Sequence, residues 1–505
     1  MSYLELLGRV APETIIVITA LVVMAVDLVA MRGEPLRNRF WVSAGFAILG
    51  CVICIGWLLL IEPPAASANA SGGLLPSLAS MFTDDPLTRL VKVALLALTI
   101  CTMVISVEGT FTDHVGEYLA LVLMATVGMM LLVSSTDLLM IFISLELTSL
   151  SLYILTAFNK QNIKSAEAAL KYFLFGGMSA AFTLFGLSLV YGLSGSTNLT
   201  QIRAVLSSGA PLDPLLIMAM VMAAVGFGFK IAAVPFHLWA PDAYEGAPTP
   251  SAALIASGSK LASFFIFAKV LMVGFAHAGG SGAWHDYQAG WLPVLAILAA
   301  LSMALGNLAA IVQSNVKRLL AYSAIAHSGY ALLGLLANSP QGVSAVIFYM
   351  ATYGLTVVGA FGVVAVVEQS EGDARISNFA GLSRREPLVA FCMMIFMLSL
   401  AGIPPLAGFF GKFYLFVAAA AGAPNLGWLW LVIFAIAMSA VSLYYYLQVL
   451  KQIYVVAAPA GQRTMKAPLT SKVILAMLAI GVVALGCAPN LVLGKLLGSI
   501  KAFGL

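Results

Sequence analysis

The stretch LLIMAMVMAAVGFGFKIAAVPFHLW, residues 215 to 239, decides the fold class of this chain. It begins as an apolar run of the kind that crosses a bilayer, for which about 20 residues are needed. It then contains Lys230, Pro235 and His237. Proline removes a helical hydrogen bond, and both the freed carbonyl group and the lysine are tolerated inside a membrane only where they face protein or water. The stretch therefore predicts an integral membrane protein with an interrupted helix that lines a polar interior.

The composition of the whole chain agrees with this prediction. Of 505 residues, 61% are hydrophobic and 9% are charged, and the mean hydropathy is +1.02, whereas soluble domains are about a quarter charged. Apolar runs recur almost from end to end, so we expect a single polytopic domain over residues 1–505. The net charge of +4 is modest and no long basic cluster occurs, which argues against a nucleic-acid partner.

Hydropathy, read with breaks at proline, glycine and charged residues, predicts an all-α integral membrane fold with about fourteen transmembrane helices. The first run is too long for a signal peptide and lacks the preceding positive charge, so we expect it to remain in the mature protein. The predicted helices lie near residues 12–31, 41–61, 87–107, 116–133, 137–157, 165–192, 213–240, 248–276, 291–313, 318–336, 342–368, 388–421, 425–454 and 470–487.

The loops indicate the orientation, because basic residues concentrate in alternate connections such as 32–39, 317–318 and 375–385. By the positive-inside rule both termini are expected on the outer, periplasmic side. Cys51 and Cys54 form a C-x-x-C pair within an apolar helix without further ligands nearby in the sequence. We expect them to be packing residues and predict no metal or redox centre in this chain.

Five lysines lie within predicted spanning segments and belong to no loop. A lysine at the centre of a membrane helix costs about 2.5 to 3.5 kcal/mol, so such residues usually face a cavity and mark an ion or proton path. Lys260 has Ser257, Ser259 and Ser263 as polar neighbours, which favours a hydrated, functional face. For lysines near helix ends, the alternative is that the long side chain reaches the membrane surface. The five are Lys171, Lys230, Lys260, Lys269 and Lys412, and the alternative stays open for Lys171 and Lys269.

Glu146 is the carboxylate that stands out on the same criterion, since it lies well inside its apolar run. A buried carboxylate needs a partner or a proton, and we predict Lys230 as the partner. Apolar surroundings disfavour the ammonium form and a nearby carboxylate favours it. Moving or neutralising the carboxylate would therefore release a proton from Lys230.

The released proton could then pass through Lys260, water, His327 and Lys412. Lys412 follows Pro404 and Pro405, which repeats the arrangement of a lysine beside a proline break. His237, seven residues after Lys230, is expected on the same face if the helix resumes. For both His327 and His237 a purely structural hydrogen bond is the alternative.

Several motifs resemble the antiporter-like subunits of respiratory complex I (NADH-quinone oxidoreductase), in the subunit N branch that includes mitochondrial NADH dehydrogenase subunit 2. The motifs are LELTSLSLYILTAFNK (145–160), EAALKYFLFG (167–176), FKIAAVPFHLWAPDAYEGAPTP (229–250), SNVKRLLAYSAIAHSGY (314–330) and GIPPLAGFFGKFY (402–414). The L-type subunits have a long C-terminal extension that this chain lacks, and M-type subunits carry glutamate where Lys412 stands.

This resemblance implies two inverted five-helix repeats, about 116–276 and 291–454, flanked by helices within 12–107 and 470–487, with helices 7 and 12 broken. It implies that Glu146 and Lys230 are a coupled pair, Lys260 a central relay and Lys412 an exit-side lysine. Lys171 matches a family lysine and Lys269 does not. The implied activity is proton translocation in the bacterial inner membrane, driven by quinone reduction elsewhere.

The resemblance also implies that NAD, FMN, iron–sulfur clusters and quinone belong to partner subunits, with M-type and K-type subunits as neighbours in the lipid. Two other functions remain open. An independent cation/proton antiporter would use the same charges to exchange Na⁺ or K⁺. A passive structural spacer would tolerate loss of Glu146 and Lys230.

Overall fold

The computed structural model describes residues 8–61, 81–207, 213–283, 286–423, 426–458 and 465–502. The polar connection after residue 61 and the extreme termini, whose side of the membrane was predicted above, lie outside the described residues. The helices are α1 Ala11–Ala25, α2 Leu36–Leu60, α3 Pro86–Ser106, α4 Val115–Ser134, α5 Leu138–Thr156, α6 Ile163–Ser194, α7 Leu199–Leu206, α8 Pro214–Lys230, α9 Trp239–Gly246, α10 Thr249–Ala256, α11 Gly258–Lys269, α12 Trp291–Ile311, α13 Val316–Leu336, α14 Pro340–Glu371, α15 Leu382–Arg385, α16 Pro387–Ala401, α17 Ala407–Ala421, α18 Leu429–Tyr454, α19 Leu469–Cys487 and α20 Asn490–Ala502.

The all-α membrane fold is confirmed. Within the described ranges, 12 helical segments are long and apolar enough to cross a membrane. The other two predicted spans fall where the chain breaks, at α8–α9 and α16–α17. The total of fourteen spans and the inverted repeats stay predictions. A small hairpin, β1 Ser281–Ala283 with antiparallel β2 Asp286–Gln288, and the terminal helix α20 were not predicted.

The first break separates α8 from α9. Helix α8 ends at Lys230, and residues 231–238 are turns without continuous helix. Ala232 has φ 57°, and Pro235 supplies no backbone N–H. Because proline cannot donate and the chain bends before it, carbonyl groups near Ile231 are left for side-chain donors.

The second break separates α16 from α17. Gly402 ends α16 with φ 87°, a left-handed conformation that glycine adopts without strain. Pro404 and Pro405 follow and keep the helix from continuing. At the start of α17, a Cβ on Gly408 would lie 1.9 Å from the Ser399 carbonyl oxygen, so the two halves approach closely only because residue 408 is glycine.

The segments α10–α11 and α13 lie at the centre of the bundle. The span 249–274 is buried along its length and α13 almost so, whereas α6, α18 and α19 are mostly peripheral. Ser257 interrupts the regular helix between α10 and α11. This arrangement carries Lys260 on α11 and His327 on α13 away from lipid.

The first helices are fastened to the bundle by a charged anchor. The chain continues from α1 as a π-helix, Val26–Ala30, in which Asp27 is fully buried. Arg39 on α2 binds Asp27 with both ends of its guanidinium, at 2.9 Å and 2.6 Å, and the Gly116 amide of α4 donates to Asp27 Oδ2 at 2.9 Å. Because the paired geometry and the amide satisfy the carboxylate, this anchor joins α1, α2 and α4.

Candidate functional site

Lys230, the last residue of α8, lies against α5. Its Nζ donates a hydrogen bond to Ser149 Oγ. The same nitrogen lies 5.4 Å from the centre of the Phe229 ring and 5.8 Å from the centre of the Tyr153 ring. Such cation–π distances stabilise an ammonium group away from bulk water. The amine is therefore held by one hydroxyl and two aromatic rings.

Glu146 lies three residues before Ser149 on α5, one turn away, and is only half-buried within this chain. Among the described residues, no Glu146 oxygen comes within 4.0 Å of Lys230 Nζ. The two residues are related through α5, because Ser149, which contacts Lys230, belongs to the same helix as Glu146. The structure thus brings the two predicted partners into one neighbourhood, with Ser149 rather than Glu146 in direct contact with the lysine.

A small cavity extends from Lys230 towards α11. Its volume is about 10 Å³, and its polar lining includes Lys230, Thr148, Ser149, Ser259 and Ser263. This is the lower limit of the space that one water molecule occupies, and several hydroxyl groups are available to bind it. The cavity joins the neighbourhood of Lys230 to the helix that carries Lys260.

Lys260 is buried at the centre of the bundle. Its Nζ donates to the Ala324 carbonyl and to Ser328 Oγ, the latter at 2.8 Å. The Ser328 hydroxyl in turn lies 2.5 Å from the Ile231 carbonyl, at the break after α8. One serine therefore links the central lysine to the interrupted helix that begins with Lys230.

His327 is buried on α13, next to Ser328 in sequence. Its Nδ1 hydrogen-bonds the Tyr349 hydroxyl at 2.5 Å, and its Nε2 lies 3.1 Å from the Tyr446 hydroxyl. A neutral imidazole donates through one nitrogen and accepts through the other, so both ring nitrogens of His327 have a tyrosine hydroxyl as partner.

Lys412 repeats the relation between a lysine and a broken helix. Its Nζ donates to the Leu400 and Ala401 carbonyls at 3.0 Å and 3.1 Å, which are freed where α16 ends. It also donates to Ser439 Oγ at 2.9 Å and lies 4.9 Å from the centre of the Tyr330 ring. All these partners are neutral, so the ammonium charge is stabilised by dipoles and a ring.

Lys171 belongs to a different group of charges. Its Nζ lies 2.8 Å from Asp242 Oδ2 and 2.6 Å from Glu167 Oε1, and Arg318 binds Asp242 Oδ1 at 2.7 Å. Burial would raise the pKa of the Asp242 carboxyl, but the hydrogen bonds from Lys171 and Arg318 outweigh it and hold that pKa below its usual range. Lys171 is thus paired with acidic groups, while 41% of its side chain stays exposed, so the surface alternative stays open.

His237 is buried in the break after α8. Its Nδ1 has no hydrogen-bond partner among the described residues. The premise that the helix resumes, which placed His237 on the face of Lys230, is wrong, because residues 231–238 are not helical. The chain turns there, so the seven-residue spacing carries no information about a shared face.

Sequence reasoning missed the partners of several charged groups, and in two of these ion pairs the lysine is buried. Glu13 Oε1 on α1 lies 2.7 Å from Lys92 Nζ on α3, and both side chains are almost inaccessible. Lys317 Nζ lies 3.5 Å from Glu368 Oε1. Both Lys92 and Lys317 were assigned to loops because they lie close to predicted helix starts. No group of three or more His, Cys, Asp or Glu side chains in the described ranges could hold a metal ion.

Comparison with known proteins identifies the family. Residues 135–441 match the membrane family described as NADH:quinone oxidoreductase/Mrp antiporter. NADH-quinone oxidoreductase subunit N 2 of Acidobacterium capsulatum is 49% identical, over 98% of this chain and 99% of that protein. A chain of respiratory complex I from Thermus thermophilus is 32% identical, with a TM-score of 0.74 over 96% of this chain and 99% of that chain.

A chain of the Mrp complex from a Dietzia species has a TM-score of 0.80 over 99% of this chain and 97% of that chain, and its 21% identity shows the shared fold alone. The full-length similarity to subunit N proteins, in contrast, is well above that level. This chain therefore belongs to the NADH:quinone oxidoreductase/Mrp antiporter membrane family and, within it, to the subunit N group of the proton-pumping NADH-quinone oxidoreductase.

Proposed function

We propose that this chain moves protons through a buried relay formed by Glu146, Lys230, Lys260, His327 and Lys412. The observation that carries the proposal is the contact between Lys260 and Ser328, which in turn reaches the Ile231 carbonyl at the break beside Lys230. A lysine with only neutral hydrogen-bond partners can give up its proton without leaving a carboxylate unpaired. The other members of the proposed route are the small cavity between Lys230 and α11 and His327, which is next to Ser328 in sequence.

The trigger in this proposal is the charge of Glu146. Its half-buried position leaves it open to a neighbouring subunit, where a charge or a water chain can alter its influence on Lys230. Lys230 is held by Ser149 and by aromatic rings and has no direct ion pair that would fix its protonation. Its protonation therefore responds to the charge of Glu146. Lys171 and His237 are secondary members of the proposal.

The assembly supplies what this chain does not contain. M-type and K-type subunits are the neighbours in the membrane, and NAD, FMN, iron–sulfur clusters and quinone reside in partner subunits. Quinone reduction there drives the change at Glu146. The chain lies in the bacterial inner membrane with both termini on the periplasmic side.

Replacing Lys230 by methionine in the assembled oxidoreductase tests the proposal. We expect coupled quinone reduction and proton translocation to fall together by up to about a hundredfold, the lower end of the range for a positioned proton-transfer group, since the trigger then has no proton to release. Electron transfer and proton uptake are measured in the same membrane vesicles.

Lys160→Met removes the same charge from an exposed loop position and serves as the matched control. If the Lys230→Met complex assembles and pumps protons at the normal rate, the relay proposal is wrong and the chain is a passive spacer. Sodium- or potassium-dependent proton exchange by the purified chain in liposomes would instead favour the independent antiporter.

A further inference from the structure

A second group of buried charges lies at one end of the bundle and takes no part in the relay described above. It forms where α1 and α3 begin and where α4 and α11 end. Glu13 and Lys92 form a 2.7 Å ion pair, and Lys269, the last residue of α11, is buried beside them.

The group is connected by hydroxyl and carbonyl contacts. Lys269 Nζ donates to Thr83 Oγ1 at 2.9 Å and lies 3.5 Å from the Val133 carbonyl. The Thr83 hydroxyl lies 3.1 Å from the Ser134 carbonyl, and Ser134 Oγ lies 3.5 Å from Glu13 Oε1. Thr83 is partly exposed. The chain of contacts therefore runs from a buried lysine to a residue at the surface of this chain.

The Glu13 carboxylate is not fully satisfied. Its Oε2 is buried and has no hydrogen-bond partner among the described residues. The Asp27–Arg39 anchor at the other end of α1 differs, because both carboxylate oxygens there accept hydrogen bonds. A purely structural ion pair is expected to resemble the Asp27 anchor, since leaving a buried oxygen without a partner is destabilising. A carboxylate that binds a proton needs an oxygen without a hydrogen-bond donor, and Glu13 Oε2 is such an oxygen.

The relay and this second group lie along the same helix. Lys260 and Lys269 are nine residues apart on α11, about 13 Å at the helical rise. The cavity beside Lys230 is lined by Ala262 and Leu132 as well as by its polar groups. Ala262 precedes Lys269 by two turns on the same face, and Leu132 adjoins Val133, which Lys269 contacts. The cavity and Lys269 therefore lie along the same interface between α4 and α11, about two helical turns apart.

We propose that Lys269, with Thr83 and the Glu13–Lys92 pair, is a second proton-transfer site that passes protons between the central relay and the surface at the N-terminal end of α3. The inference rests on the proposed proton translocation and assigns it a route. In the transfer step an N–H bond of the Lys269 ammonium breaks and an O–H bond forms at Thr83 Oγ1, while Thr83 gives its own proton to surface water. When Glu13 takes up a proton at Oε2, the charge of Lys92 is no longer balanced, and its repulsion favours release from Lys269.

The test compares Lys269→Met and Lys269→Arg in the assembled oxidoreductase. Arginine keeps the positive charge but does not lose its proton in proteins, so both variants are expected to lower proton translocation by up to about a hundredfold, the lower end of the range for a positioned proton-transfer group. Full activity of Lys269→Arg would show that the residue is a structural cation and would overturn the proposal.

Thr83→Val keeps a side chain of similar shape at a partly exposed position, so it decides the question if Lys269→Met fails to assemble. It is expected to lower translocation, and unchanged translocation would overturn the proposal. Asp27→Asn is the control: it weakens the anchor and lowers the amount of assembled complex, with unchanged proton movement per electron in what assembles. If Lys230→Met also has no effect, the proposed function fails; if Lys230→Met alone lowers translocation, only this inference fails.

Discussion

An oxidoreductase that carries Lys260→Met in this chain is expected to lose proton translocation by about a hundredfold or more, the range for a positioned proton-transfer group. Lys260 is the central lysine of the relay, and it is fully buried against Ala324 and Ser328. Methionine fills a similar volume without a proton to carry. Proton uptake and quinone reduction in membrane vesicles measure the loss, and coupling should make the two fall together.

The variant Lys260→Arg distinguishes the role of the positive charge at this position from the role of a proton that can be released. Arginine retains a cation and hydrogen-bond donors but stays protonated, so we expect it to be nearly as inactive as methionine. Ser328→Ala, which removes the link to the Ile231 carbonyl but no charge, should have a smaller effect in the same direction. Translocation by Lys260→Arg at the parental rate would contradict a role for Lys260 in carrying protons.

The second large effect is expected for Lys412→Met, again about a hundredfold in proton translocation. Lys412 is held by two carbonyl groups at the end of α16, by Ser439 and by the Tyr330 ring. Removing its ammonium group ends the relay beyond His327. The same vesicle assay measures the change, together with the amount of this chain present in the purified complex.

Lys451→Met is the matched control for Lys412→Met, because Lys451 is an exposed lysine at the end of α18. It should leave translocation unchanged. The prediction fails if Lys412→Met assembles normally and pumps at the rate of this control, since Lys412 would then be a structural residue that fills the space at the second break.

The broken helices could be predicted from sequence because their causes are local. Pro235, Pro404 and Pro405 remove backbone donors, and Gly402 adopts a left-handed conformation. Lysines within apolar runs likewise identified Lys260 and Lys412 as interior residues, because only an interior position makes them tolerable. These features follow from single residues and their immediate neighbours.

The partners of the charged groups could not be predicted in the same way. Ser149 is the residue that contacts Lys230, 81 positions away in sequence, and Asp242 pairs with Lys171 across 71 positions. Only the packing of α5 with α8, and of α6 with α9, brings these groups together. For Glu146 the sequence predicted the right neighbourhood but not the intervening serine.

Charges near helix ends were the main source of error. Lys92 and Glu13 lie within two turns of the ends of their helices, a position that fits a residue at the membrane surface as well as a buried one. Hydropathy does not distinguish these cases, because the difference depends on whether another helix covers the end. Here α1, α3 and α4 cover one another, and the pair is buried.

The central claim is that the protonation of Lys230 responds to the charge of Glu146. A double-mutant cycle with Glu146→Gln, Lys230→Met and the combined variant, measured as the rate of proton translocation in the assembled oxidoreductase, tests it most directly. We predict that the combined variant loses less than the two single losses added together, with a coupling of at least about 0.5 kcal/mol. Strictly additive losses would show that the two residues act independently and would contradict the account.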